Sequence, residues 1–390
     1  MFSYIVIGAG RQGTAAAYDL ACFGDATRIT LGDCDRDRAH RAAVRVNQLA
    51  GRTVAEGVAL DVREPVEVAR VLQGHQVALS AVPYFFNYEL TCAAIDAGVS
   101  FCDLGGNTEI VRRQHALDPQ ARQRGVRVIP DCGMGPGMGN TLAVHAMNQL
   151  DSPEHVYLYD GGLPLEPALP WNYVLSFNIQ GLTNEYYGGM TILREGKLTH
   201  VPCFTEFENV TFPPVGELEA FFIAGGCSTA PWSFEGKLKT YQLKVLRYPG
   251  SFAQLKAFSD LGLFDPKSIR VGEAEVVPRR VFEALFEPQI RNDGAVRDVS
   301  LIRVRAVGSK EGRRAEALVE LVDTYDPTTK FSAMERTTGW HASIVAAMMA
   351  RGETPVGSVP LEIAVPGDVF VREARKRGFE ITERLRELDA

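Results

Sequence analysis

The chain has 390 residues, 46% of them hydrophobic and 23% charged, a globular balance whose length suits two domains better than one. Its formal net charge of −7 argues against a nucleic-acid partner, because neutralising phosphates takes a surplus of Lys and Arg. No apolar run approaches the roughly 20 residues of a bilayer span, and Met1-Phe2-Ser3-Tyr4 leads into an apolar strand without the marks of a signal peptide. Seven scattered cysteines lack C-x-x-C spacing and seven histidines lack H-E-x-x-H spacing, so the expectation is a cytoplasmic protein with free thiols and no metal.

From the start to about residue 130, short β-branched runs alternate with helix-length segments. Strands are predicted at 4–7, 28–31, 53–59, 77–82, 100–103 and 127–130, and helices at 13–23, 37–49, 65–72, 88–97 and 114–124. Strict alternation means βαβ units with right-handed crossovers, hence a parallel sheet covered on both faces. After Gly133 the pattern changes. A helix at 139–150 precedes strands at 156–160, 174–179, 198–201 and 315–325, with few helices between, which favours an antiparallel sheet. Proline-rich stretches at 163–170 and 211–214 read as edge loops, and 266–289 as a helical excursion. A helix at 337–352 ends on glycine, and turns and a charged C-terminal helix follow. The fold class expected is α/β: a Rossmann-type parallel-sheet domain from 1–132 and 336–390, plus an α+β domain over 133–335 with a largely antiparallel sheet for substrate binding and dimerisation.

Gly8-Ala9-Gly10-Arg11-Gln12-Gly13 follows the strand at 4–7 and opens an alanine-rich helix. Gly8 permits the tight turn, Gly10 lets a pyrophosphate approach the backbone, and Gly13 lets helix and strand pack closely. The first amides of the helix, at Arg11, Gln12 and Gly13, then face the anion. Asp33, twenty positions after Gly13, ends the second strand and is suited to accept from both ribose hydroxyls. Its charge repels a 2′-phosphate, which favours NAD, while Arg36 and Arg38 keep NADP open. By position, Asp61 and Val62 border the adenine and Val82, Pro83 and Tyr84 lie toward the nicotinamide; Gly105 is a further cofactor-binding candidate. The bland alternative is a glycine-rich turn in a nucleotide-free domain.

Three further segments carry a family resemblance. Phe101-Cys102-Asp103-Leu104-Gly105-Gly106-Asn107, the P-x-x-G-x-x-P-G-M run from Pro130 to Met138, and Arg336-Thr337-Thr338-Gly339 resemble the domain junctions of the saccharopine dehydrogenase family. Within it, Gly225-Gly226-Cys227-Ser228-Thr229 and Lys239-Thr240 with Lys244-Val245-Leu246-Arg247-Tyr248 look closest to the lysine 6-dehydrogenase branch. Saccharopine-forming members carry an Asn-Arg-Asp-Ser type segment where this chain has Gly-Gly-Cys-Ser, and the missing arginine argues for a smaller amino-acid substrate. Asn107-Thr108 departs from the lysine dehydrogenase pattern. The resemblance implies a homodimer or higher homo-oligomer that oxidises the ε-amine of L-lysine. A hydride passes from the ε-carbon to the nicotinamide, and water hydrolyses the iminium to an aldehyde and ammonia. Dehydrogenation of saccharopine or carboxynorspermidine is the alternative within the family, and NAD binding without chemistry the alternative outside it.

For that chemistry Asp103, at the carboxyl edge of the sheet, is the first candidate to work on the amine or its water; the other reading is a cap on the Gly105-Gly106 turn. Asp131 ends another strand and has the same two readings. Arg247 is the candidate clamp for the substrate carboxylate, against a solvent-facing charge on a strand. Tyr173 reads as pocket wall or core, and His341 as a proton carrier or a capping residue. Tyr84 and Thr229 complete the expected substrate-binding set, and Cys132 and Cys227 read as small buried residues.

Overall fold

A computed structural model of the protein describes residues 1–292 and 294–388. Six strands, β1 (Phe2–Ile7), β2 (Ala26–Asp33), β3 (Ala55–Ala59), β4 (Val77–Ser80), β5 (Ser100–Asp103) and β6 (Arg127–Ile129), form a parallel sheet in the spatial order 3-2-1-4-5-6. That is the Rossmann order. Alternation along β1 feeds two cores: Tyr4 and Val6 pack with Leu20 and Ile344 on one face, Ile5 and Ile7 with Leu72 and Leu90 on the other. The crossovers run through α1 (Arg11–Phe23), α2 (Arg36–Ala50), α3 (Pro65–Leu72) and α4 (Asn87–Ala97). The helix predicted at 114–124 is two, α5 (Thr108–His115) and α6 (Asp118–Arg124). Asn107 caps the first through Ile110 N, and Pro119, which cannot continue a helix, sits in the first turn of the second.

The second domain opens with α7 (Met138–Met147) and β7 (Ser152–Pro164). The stretch 174–179 is not the predicted strand: Leu175 makes one bridge to Arg291, and Asn178, whose side chain accepts from Gly181 N, starts α8 (Ile179–Glu185) instead. The hairpins β8 (Gly189–Arg194) with β9 (Lys197–Pro202), and β10 (Glu208–Phe212) with β11 (Gly216–Phe221), lead through α9 (Ala230–Ser233) to β12 (Thr240–Arg247). An unanticipated helix, α10 (Ser251–Asp260), follows, and the excursion at 266–289 contains a small hairpin, β13 (Ile269–Val271) with β14 (Ala274–Val276), before α11 (Pro278–Ile290). The long strands β15 (Asp298–Lys310) and β16 (Arg313–Thr324) complete the sheet centre. All neighbours in this sheet are antiparallel except β12 with β7.

The chain then returns to the first domain through α12 (Ala333–Arg351). Asp298 holds its start by accepting from Ala333 N at 2.6 Å and Met334 N at 3.0 Å. Gly339 lets α12 lie against α1, since a Cβ there would sit 2.9 Å from the Gln12 carbonyl oxygen. A two-residue strand, β17 (Gly357–Ser358), pairs parallel with β6, and α13 (Leu361–Ala364) and α14 (Gly367–Lys376) follow. The charged end corrects the expected organisation. Residues after α14 form β18 (Ile381–Glu387), which pairs antiparallel with β16, so the span 336–390 does not lie wholly in the nucleotide domain. The expected charged C-terminal helix is α14, and the charge-rich strand after it suits an exposed sheet edge, where charge discourages further pairing. No helix among the described residues is long and apolar enough to cross a membrane.

Candidate active site

A cavity of about 600 Å3 opens between the domains, at the carboxyl ends of the parallel strands. On the nucleotide side its wall is Gly10 to Gln12, Ala81 to Tyr84, Leu104 to Gly106 and Gly133 to Pro136. The three fingerprint glycines differ in what they permit. A Cβ on Gly8, whose φ is +106°, would lie 2.7 Å from the Ala81 carbonyl oxygen, and one on Gly13 would lie 1.9 Å from that of Gly8. Both are demands of packing. A Cβ on Gly10 would meet no protein atom within 4 Å and would enter the cavity, so the space kept clear there suits a pyrophosphate on the first amides of α1. Asp33 accepts from Ala9 N at 3.0 Å and Asp35 N at 2.9 Å, with Arg38 at 3.7 Å. The carboxylate is thereby fixed at the end of β2, beside the glycine turn. Two amides tie the domains across the cleft: Asn184 Nδ2 donates to the Gly106 carbonyl at 2.6 Å and Gln12 Nε2 to that of Ser176 at 3.4 Å.

On the other side β12 presents Leu243, Val245 and Arg247, alternate residues that share one face of the strand. Of the four arginines in the wall, Arg11, Arg38, Arg247 and Arg291, only Arg247 is buried. Its guanidinium donates to the Leu246 carbonyl at 3.0 Å and to the Tyr186 hydroxyl at 3.2 Å, and lies 5.2 Å from the centre of the Tyr173 ring. Its Nε has no protein acceptor among the described residues. The solvent-facing alternative for Arg247 is thus excluded.

Three carboxylates absent from the sequence expectations line the cavity: Asp160, Glu185 and Glu287, the last 3.9 Å from Arg291. Asp160, from β7, is 6% exposed, and its Oδ2 has no hydrogen-bond partner among the described residues. Glu185 ends α8, keeps 26% of its side chain exposed, and places Oε2 3.8 Å from Arg247. Burial pushes Asp160 up to about 7, against the pull of Arg247. Burial, resisted by Arg247 and assisted by the Asp160 charge, brings Glu185 to about 7 as well. One signal was available: Asp160 shares strand parity with the apolar Val156 and Leu158, which marks it as a buried acid.

Several expected site residues lie elsewhere. Asp103 is fully buried behind the wall, accepting from Gly105 N at 2.7 Å, Asp131 N at 3.2 Å and Gln114 Nε2 at 2.7 Å. It is the turn cap. Asp131 also stays out of the cavity; its Oδ2 takes the Ser228 hydroxyl, and burial, with Asp103 and Glu362 nearby, raises it well above the ordinary carboxylate range. Thr229 points to Glu362, donating at 3.0 Å. His341 is locked in the core between the Cys132 carbonyl, 2.8 Å from Nδ1, and the Thr141 hydroxyl, 3.0 Å from Nε2; burial lowers it to about 4, which keeps it neutral and removes it as a proton carrier. Asp61 turns to Arg63, and neither it nor Val62 lines the cavity. Tyr84, Tyr173, Val82, Pro83 and Gly105 do line it.

Comparison with known proteins matches this architecture. The family model described as the saccharopine dehydrogenase NADP binding domain matches residues 4–129, and that of the saccharopine dehydrogenase C-terminal domain matches 133–378. The saccharopine dehydrogenase (NADP(+), L-glutamate-forming) of Saccharomyces cerevisiae is 23% identical over 167 residues, which are 41% of this chain and 37% of that relative. The match therefore spans little more than a third of that relative's length. Among solved structures, apo histidine-tagged saccharopine dehydrogenase (L-Glu forming) from S. cerevisiae has a TM-score of 0.78 at 16% identity, covering 99% of this chain and 100% of that one. Homospermidine synthase from Legionella pneumophila, in complex with NAD, has a TM-score of 0.67 at 12% identity, covering 98% and 91%. At these identities the structures show the shared fold. The family models span both domains, and the chain belongs to the saccharopine dehydrogenase family.

Proposed function

We propose that this chain oxidises the side-chain amine of a small basic amino acid, with L-lysine the first substrate, to the 6-semialdehyde and ammonia. The observation that carries the reading is Arg247: a buried guanidinium in the cavity wall matches the planar carboxylate of an amino acid. The carboxylates of Glu185, 3.8 Å from it, and of Asp160, farther along the wall, favour a ligand with one carboxylate and basic nitrogens. They disfavour saccharopine, whose several carboxylates would meet Asp160 and Glu185 beside the one buried arginine of the wall, Arg11, Arg38 and Arg291 lining its more exposed part. A carboxylated polyamine satisfies the same charge pattern and is the second reading. When bound, the nicotinamide nucleotide supplies the hydride acceptor. Gly10 and the α1 amides would hold its pyrophosphate and Asp33 its ribose, so NAD is preferred; Arg38, 3.7 Å from Asp33, leaves NADP usable.

The test is a panel of lysine, saccharopine, ornithine and carboxynorspermidine, each with NAD and with NADP, followed at the NAD(P)H absorbance. Turnover of lysine without 2-oxoglutarate is expected. Turnover confined to saccharopine would overturn the reading.

A further inference from the structure

Asp160 and Glu185 approach the cavity from different elements and meet different neighbours. Glu185 sits beside Arg247, with 3.8 Å between Oε2 and Nη2. An α-amino acid whose carboxylate pairs with that guanidinium carries its ammonium one carbon away, where Glu185 offers the opposite charge. Asp160 lies on the other flank, against the junction loop that follows β6. A Cβ at Gly135 would sit 1.8 Å from Asp160 Oδ2, so glycine is what lets this carboxylate stand against the loop. That loop is part of the nucleotide-side wall, which places the Asp160 carboxyl on the flank of the reacting end of a bound chain rather than of its head group.

We propose that Asp160 takes the proton from the reacting ammonium and that Glu185, with Arg247, selects the α-amino-acid head group. The assignment rests on the function proposed above. The chemistry requires such a base. An alkylammonium has no lone pair to form a C=N bond; once the Asp160 carboxylate has accepted one proton, the neutral amine can release the C–H electron pair as hydride. The oxidant is NAD(P)+, which is reduced. Water then adds to the iminium carbon, the C–N bond breaks, and ammonia leaves as ammonium. Overall, R–CH2–NH3+, NAD(P)+ and H2O become R–CHO, NH4+, NAD(P)H and H+.

The groups facing Asp160 are Arg247 from β12, Glu185 from α8 and the buried Cys227 thiol. Those facing Glu185 are Arg247, Asp160, Tyr173, Tyr186 and the Cys203 thiol. Arg247 draws both carboxylates toward the charged form, while burial holds both near neutrality, where an acid–base group works best.

Three ligands separate the two roles: lysine, 6-aminohexanoate without the α-amine, and cadaverine without the carboxylate. Asp160→Asn is expected to lower kcat about 100-fold or more on every ligand that the wild type oxidises and to remove the pH limb near neutrality, because a general base contributes roughly 10²–10⁴. Glu185→Gln is expected to weaken lysine about 10-fold while changing 6-aminohexanoate less than about threefold, the difference being one charged hydrogen bond. Asp160→Ser and Glu185→Asp serve as second variants, with circular dichroism reporting the fold. An Asp160 variant with wild-type kcat, or a Glu185 variant that weakens both ligands equally, overturns the corresponding half. Calorimetric titration of lysine and 6-aminohexanoate into the NADH-bound protein needs no turnover. Failure of the wild type to oxidise lysine therefore sinks the proposed function, while the binding preference still decides Glu185.

Discussion

Asp160→Asn should make the protein more stable at pH 8 while disabling it. Burial moves the Asp160 carboxyl from an ordinary 3.8 to about 7 in the folded protein, so folding opposes its ionisation. A raised folded value means that the folded state keeps its proton where the unfolded state has lost it. The associated stability is fully present below pH 3.8 and disappears as the pH rises to about 7. A difference of about three units corresponds to a ceiling of about 4 kcal/mol at pH 8. At pH 5, where folded Asp160 is already protonated, the difference shrinks to about 2 kcal/mol, and at pH 3 it approaches zero. Asparagine has no charge to bury, so it should recover that amount. With unfolding entropy of about 2.1 cal/mol/K per residue over the whole chain, about 4 kcal/mol raises Tm by roughly 5 °C. Loss of the Asp160 charge also relieves Glu185, which acts in the same direction. The assay is thermal unfolding of both proteins by circular dichroism at pH 4, 5, 6, 7 and 8. A Tm difference that does not grow with pH, or an Asp160→Asn variant that melts lower at pH 8, would refute the burial argument.

Gly10→Ala should fold normally, with Tm unchanged, but weaken NADH binding about 10-fold or more in fluorescence titration, because its methyl group meets only the cavity. Gly13→Ala should instead lose roughly 1–3 kcal/mol of stability, since its Cβ would press to 1.9 Å from the Gly8 carbonyl oxygen. Asp103→Asn should cost roughly 1–3 kcal/mol in chemical denaturation by disturbing the Gly105, Asp131 and Gln114 hydrogen bonds, with kcat within about threefold of wild type. Arg247→Lys should raise KM for lysine about 10–100-fold in steady-state kinetics, because an ammonium cannot hold a carboxylate bidentately; an unchanged KM would remove Arg247 from substrate binding.

The features legible in the sequence are those that a few neighbouring residues impose on their own backbone. The strand, glycine turn and helix from Tyr4 to Phe23, the βαβ alternation, and the acid Asp33 at a strand end are local demands, and the structure arranges them as a Rossmann sheet. Direction and partner were not local. Asp103 and Asp131 sit at strand ends where catalytic acids are found, yet Gln114, the Gly105 amide and Ser228 turn them away from the cavity. His341 owes its neutrality to the Cys132 carbonyl and the Thr141 hydroxyl, which belong to other parts of the chain. Arg247 stood out as a cation in a strand, but its burial depends on α8 and on Tyr173. Asp160, Glu185 and Arg247 come from β7, α8 and β12, far apart in sequence, and only the packing of those elements makes them one site. Residue type and spacing determine what a segment can become. Which polar atoms face a cavity, and how far desolvation moves their protons, is set by atoms that arrive from elsewhere in the chain.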